Sequence, residues 1–426
     1  MGRRFGLHWA AFGRKHEIVK LAIARWAGSY SCCRSPPSGR NDDAQRAKLL
    51  LESRVDIKPF GVELWMNEFE LQCEFNLAET CVESITIAQL LELAGRDETA
   101  LSELLPLKMT YGAIEGSDRL RDAITTLYDN QARDNILVTH GTIGANALVH
   151  QALVSRGDKV VSIVPTYQQH YSIPESIGAD VQLLHLQAED NFLPDFDALR
   201  ALATPGTRMI AITNPNNPTG ALIDGDKLEE LVSIARDADA WLLCDEVYRG
   251  TDQHGSGITT SIADIYEKGI STASLSKAFS LAGLRVGWLA APREVFEAVM
   301  IHRDYNTISI SMVDDYFASL AMESHENILA RSHEITRGNL RTLAAWVEQE
   351  PKISWVKPRS GTTAMLKYEL DVSSRDFCTS LLKETGVLFT PGSAFDMEGY
   401  VRIGYANGPA VLSVGLEKVS AFLAAR

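Results

Sequence analysis

Seven short apolar runs between residues 136 and 289, separated by helical stretches, constrain this chain more than any other feature. They are Ile136–Thr139, Lys159–Ile163, Val181–Leu186, Arg208–Thr213, Ala240–Cys244, Thr272–Leu275 and Val286–Leu289. Most are continuous in Val, Ile and Leu rather than alternating, so strands formed there are buried on both faces. Amphipathic segments such as "DKLEELVSIARDAD" lie between them. This alternation predicts an α/β architecture with a mostly parallel seven-stranded sheet covered by helices on both sides. In such sheets the ligand sits beyond the carboxyl ends of the strands, so the chemistry is expected just after each run.

The chain's 426 residues exceed what one core holds, which implies two domains. Residues 292–350 read as long helices, and the short β runs "ISWVKPRSGTTAMLKYEL", "GVLFTPGSAF" and "YVRIGYA" follow them. The expected division is a large domain over residues 106–300 and a smaller α+β domain. The smaller one takes the mostly helical residues 56–105 and, after an interdomain helix, the rest of 301–426.

Charge separates the first 55 residues from the remainder. They carry 11 Lys/Arg against 4 Asp/Glu, leaving 30 against 51 for the other residues. The acidic body argues against a nucleic-acid surface. Glu17 is the single acid among the first forty residues, a pattern that fits a transit peptide, an upstream start codon or a tail. A regulator with a DNA-binding module ahead of a sensor domain would need a helix-turn-helix there, and none is legible. The six cysteines form no CxxC pair and no metal spacing, which suits a reduced, cytoplasmic protein.

Four segments stand after strands: "THGTIGA" (139–145), "TNPNNPTG" (213–220), "CDEVY" (244–248) and "SLSKAFSLAGLRVGW" (274–288). Lys277 sits in a weakly charged stretch, where a lysine loses its proton and attacks a carbonyl. Asp245 ends an apolar strand and needs a cationic partner. Gly141, Thr142, Ser274, Ser276 and Arg285 supply the N–H groups, hydroxyls and guanidinium that hold a phosphate. A phosphate, a carbonyl and a basic ring nitrogen together describe pyridoxal 5′-phosphate. Taken singly, each residue has a plainer reading. Asp245 is a cap or ion pair, "NPNNPTG" a turn, Tyr167 and Tyr248 core aromatics, and His140 and His170 satisfied structural histidines. Four motifs in order, each after its own strand, outweigh those readings.

These motifs resemble the class I/II aminotransferases, fold-type I pyridoxal-phosphate enzymes, over about residues 60–426. The resemblance implies that Lys277 bonds covalently to the cofactor and that Asp245 keeps its ring nitrogen protonated. It also implies that Tyr248 and Asn217 donate to the ring oxygen, and that Tyr167 stacks on the ring. Gly141, Thr142 and Ile143 would form the phosphate turn, joined by Ser274, Ser276 and Arg285. Arg402, in "YVRIGYA", would pair with the substrate's α-carboxylate, and Asn217 would also touch substrate. Tyr111, in "TYGAIEGSDRLR", and Thr307 would reach the neighbouring subunit's site in a homodimer. The implied reaction is amino transfer between an α-amino acid and a 2-oxo acid, with no metal.

The match loosens at "FNLAETCVESITIAQLLEL" (75–93), where many relatives carry a glycine-containing turn over the substrate. Glu79 stands there instead. Facing the substrate it would favour a basic amino acid; otherwise it caps the helix near Thr86 or points to solvent. "HRDYNTISIS" (302–311) with "SLSKAFSLAGLRVGW" looks like the subgroup that includes capreomycidine synthase, a pyridoxal-phosphate cyclase. Cyclase or lyase chemistry is therefore the alternative. Cys73 and Cys81 read as buried thiols rather than a redox pair.

Overall fold

The computed structural model describes residues 56–426. The expectations placed on residues 1–55 lie outside the described residues.

All seven apolar runs become strands of one sheet. They are β1 (Ile136–His140), β2 (Lys159–Val164), β3 (Asp180–His185), β4 (Thr207–Thr213), β5 (Trp241–Asp245), β6 (Gly269–Ser274) and β7 (Val286–Ala290). Their order across the sheet is β1-β7-β6-β5-β4-β2-β3, and β7 alone runs antiparallel to its neighbours. β6 begins three residues earlier than its apolar pattern and stops before Leu275. Its first turn of sequence hides in polar company: buried Ser271 donates to Glu246 at 2.8 Å and lies 3.1 Å from the Tyr128 hydroxyl. A buried serine with satisfied bonds belongs in a strand without looking apolar.

Alternate residues face opposite layers, as the pleat requires. Ile136 and Val138 pack with Trp288 and Phe317, whereas Leu137 packs with Leu148, Leu289 and Val295 on the other side. Leu242 and Leu243 divide in the same way. Helices therefore cover both faces, among them Gly141–Leu153, Asp226–Asp237 and Arg293–Arg303.

The long helical stretch appears as Arg293–Arg303, Met312–Glu323 and His325–Val347. Beyond it a second sheet forms from β8 (Ile353–Trp355), β9 (Thr363–Tyr368), β10 (Thr390–Pro391) and β11 (Tyr400–Gly404), in the antiparallel order β10-β11-β9-β8. Its core holds Leu366, Phe377, Ile403 and Leu416, and it also takes Trp65 and Leu77 from the other end of the chain. A two-residue strand at Phe75–Asn76 pairs with Val387–Leu388. That strand sits in a stretch read as mostly helical, because two paired residues carry no periodicity.

Gly404 permits the closest approach in this region. An added Cβ would overlap the Glu79 carbonyl oxygen, and the Gly404 N–H donates to Leu77 at 2.7 Å. The 77–81 segment is thus pressed against β11.

Candidate active site

The carboxyl ends of β4, β5 and β6 open on a cavity of about 320 Å³. Twelve of the expected residues line it: Glu79, Thr142, Ile143, Tyr167, Asn217, Asp245, Tyr248, Ser274, Ser276, Lys277, Arg285 and Arg402. Gly141 sits just behind, with φ +68° and its would-be Cβ 2.8 Å from Arg285 Nη2. Only glycine tolerates that backbone with the guanidinium so near. Two residues stay apart from this cavity. Tyr111 is 74% exposed and lines a separate surface hollow with Met312 and Tyr316, and Thr307 is half-buried.

Asp245 is the last residue of β5 and is buried. Its Oδ2 accepts from Asn146 Nδ2 at 2.9 Å, and its Oδ1 accepts from the Val247 N–H at 3.1 Å. Thr272 Oγ1 donates to Asn146 Oδ1 at 2.7 Å and fixes that amide. His170 Nε2 lies 3.6 Å from Asp245 Oδ2. Among the described residues, neither ring nitrogen of His170 or of the adjacent His150 has a hydrogen bond, though both rings are fully buried. His170 thus faces the Asp245 carboxylate without a hydrogen bond among the described residues. Burial holds the His150 imidazole well below its usual range, with His170 adding to the effect.

Lys277 Nζ donates to Thr80 Oγ1 at 2.6 Å and lies 3.5 Å from Cys81 Sγ. Burial alone would lower its affinity for a proton, but the surrounding groups Cys81, Tyr248 and Glu79 raise it overall. The Cys81 thiol is itself pushed up to about 11 by burial, and burial raises the Tyr248 phenol too. Both are neutral at neutral pH, which leaves the Glu79 carboxylate as the anion answering Lys277. Burial opposes that carboxylate's charge; Lys277 and hydrogen bonds from residues 80 and 81 more than compensate, and its pKa falls. Glu79 Oε1 accepts the N–H groups of Thr80 and Cys81 at 2.6 and 2.8 Å. It does not cap the helix at Ile87–Leu93, whose cap is a Thr86–Gln89 box.

Arg402 is 2% exposed. It donates through Nη1 to Asn217 Oδ1 at 3.2 Å, and through Nη2 to Ala78 O and Thr390 Oγ1 at 3.0 and 3.1 Å. Its Nε has no partner. At the other end, Arg285 Nη1 reaches Ser276 Oγ at 3.5 Å, and Thr142 Oγ1 is buried without a partner. Unpartnered donors at both ends, around a carboxylate and a lysine, fit a ligand with anionic groups and a basic ring nitrogen.

The sequence reading missed Asn146, Thr80, Glu63, Met66 and Glu70. Asn146 follows Thr142 by one helical turn, a signal that was available. Glu63, Met66 and Glu70 follow one another at intervals of three and four residues over the Gly61–Phe69 helix and its continuation. Tyr167 donates its hydroxyl to Glu63 Oε1 at 2.6 Å, and its ring lies 4.6 Å from that of Phe60. Cys73, Cys81, Cys244 and Cys378 are free thiols, with Cys73 half-buried and the others buried.

The class I and II aminotransferase model matches residues 105–413, and the chain belongs to that family. It is 30% identical over 362 residues to capreomycidine synthase of Streptomyces vinaceus, covering 84% of this chain and 92% of that protein. Among solved structures it is similar to a PLP-dependent aminotransferase from Streptococcus suis. That match has 42% identity and a TM-score of 0.84, covering 87% of this chain and 98% of the other. The PLP-dependent cyclase OrfR matches at 27% identity and a TM-score of 0.81, with the same coverage. The fold is that of the fold-type I enzymes, and the cofactor is pyridoxal 5′-phosphate.

Proposed function

We propose that this protein is an aminotransferase that moves the amino group of an α-amino acid to a 2-oxo acid. The observation that carries the reading is the convergence of Lys277, Asp245, Tyr248 and Arg402 on one cavity. When bound, the cofactor supplies an aldehyde for amines and a ring that accepts electron density.

The chain's own groups then divide the work. Asp245 would hold a proton on the ring nitrogen, and Asn146 and the Val247 N–H orient its carboxylate. Asn217 accepts from Arg402 through its Oδ1, which leaves its amide N–H₂ to donate, with the Tyr248 hydroxyl, to what would be the ring oxygen. Gly141, Thr142, Ile143, Ser274, Ser276 and Arg285 hold the phosphate. Tyr167 stacks on the ring, anchored by Glu63. Arg402 takes the α-carboxylate, and Lys277 Nζ withdraws the α-proton, the step that begins amino transfer.

Tyr111 is exposed, as are Leu105 and Met109 just before it, which supports a face that a second copy covers. We take the working form as a homodimer, with Tyr111 reaching the neighbour's phosphate and Thr307 contributing to the neighbour's site. Sedimentation at micromolar concentration checks this; a fully active monomer removes it. No helix among the described residues is long and apolar enough to cross a membrane, and the free thiols suit the reducing cytoplasm.

A second reading, a cyclase or lyase, is favoured by the likeness to capreomycidine synthase. Mixing holoenzyme with single amino acids in the absence of any 2-oxo acid separates the two. An aminotransferase releases one 2-oxo acid per site and stops with its long-wavelength absorbance lost. Sustained turnover without an acceptor replaces the aminotransferase reading with the alternative.

A further inference from the structure

The charges around the cavity do not balance once the ligands of the proposed reaction are seated. Three cations line it, Lys277, Arg285 and Arg402, against the carboxylates of Asp245, Glu63, Glu70 and Glu79. The phosphate engages Arg285, and the α-carboxylate engages Arg402, whose buried Nε faces no protein partner. Asp245 answers the ring nitrogen. In the holoenzyme, before an amino acid displaces it, Lys277 would be bonded to the cofactor, so Glu79 would lack the ammonium that faces it in the free enzyme. Glu63, Glu70 and Glu79 remain, with no other cation among the described residues that line this cavity.

Anions left this way in a partly buried wall are costly unless a cation joins them. Two of the three are already held in place. Glu79 Oε1 is gripped by two backbone N–H groups, and Glu63 Oε1 by the Tyr167 hydroxyl at 2.6 Å. Glu70 is exposed at the rim, and burial together with Glu79 and Glu63 raises its pKa. A preorganised acidic wall in the same cavity as an arginine with a free N–H suits a molecule that carries both an anionic and a cationic group.

We infer that Glu63, Glu70 and Glu79 select an amino acid whose side chain ends in a guanidinium or ammonium. This rests on the α-amino-acid reading and adds the side-chain class to it. The probes are 5-guanidinopentanoate and hexanoate, which lack the reactive amine and differ in the terminal cation. Calorimetric titration into holoenzyme should show the guanidino acid binding at least about tenfold tighter. Added salt should narrow that gap in the unmodified protein, which needs no variant. Glu63→Gln and Glu79→Gln keep an acceptor oxygen for Tyr167 and for the backbone. Combined, in protein of unchanged melting temperature, they should bring the two affinities together. Equal affinities in the unmodified enzyme, or a preference that survives both substitutions, overturn the inference and leave the α-amino-acid reading intact. If no amino acid alters the cofactor's absorbance, that reading falls, and this inference with it.

Discussion

The two ends of the cavity are built on different principles. The cofactor end rests on strand termini: Asp245 closes β5, Ser274 closes β6, and Thr142 opens the helix after β1. These three side chains are buried, and the bonds of Asp245 run to the helix and the turn beside its strand. The outer wall comes from the Gly61–Phe69 helix and the 77–81 segment, which reach β11 from hundreds of residues away in sequence. The first arrangement gives chemistry that is all or nothing. The second gives selectivity that grades.

Lys277→Ala offers the sharpest break. Amino transfer should fall by at least about 10³-fold because no other amine reaches the same point. Non-covalent cofactor binding should persist, and borohydride should no longer fix the cofactor to the chain. Fixation on another lysine would move the assignment.

Arg402→Ala tests the boundary between the two ends. Losing one partner of a buried charge pair costs about 2–5 kcal/mol, so kcat/KM should fall by roughly 30-fold or more. Cofactor affinity should change far less, as equilibrium dialysis would record.

Gly404→Ala attacks the wall without touching a charge. The new Cβ meets a backbone carbonyl, so unfolding in denaturant should show a loss of about 3 kcal/mol. An unchanged midpoint would mean that the 77–81 segment yields easily.

Acid should act on the cofactor end through His150. Its folded pKa lies below the unfolded value, so the unfolded chain binds the extra proton and stability rises with pH. The contribution is complete above about pH 6.5 and falls by about 1.4 kcal/mol per pH unit below it. The slope of stability against pH below 6.5 should flatten in His150→Leu. On the exposed surface, by contrast, Glu323→Ala breaks the pair with Arg119 and should cost less than about 1 kcal/mol in the same assay.

The same contrast governs what could be read from sequence. Strand termini place residues by local periodicity, so Lys277, Asp245 and Arg285 were legible beside their own strands. Asn146 was equally local and was overlooked because an asparagine inside a helix looks unremarkable. Glu63 and Glu70 became wall residues only through a packing that joins Trp65 and Leu77 to the core of the second sheet, and no local pattern announces that contact. The buried His150–His170 pair lacks any signal, since sequence shows two histidines twenty residues apart and not the absence of partners.

The close seat of Gly404 has a consequence for size as well as stability. Arg402 and Gly404 share one strand, Gly404 binds Leu77, and Arg402 binds Ala78. Arg402, the proposed seat of the α-carboxylate, and the segment bearing Glu79 are therefore fixed to a common rail. The gap between them would act as a ruler held by that strand. Such a ruler measures side-chain length: homologous substrates one methylene too short or too long would meet only one of its two marks.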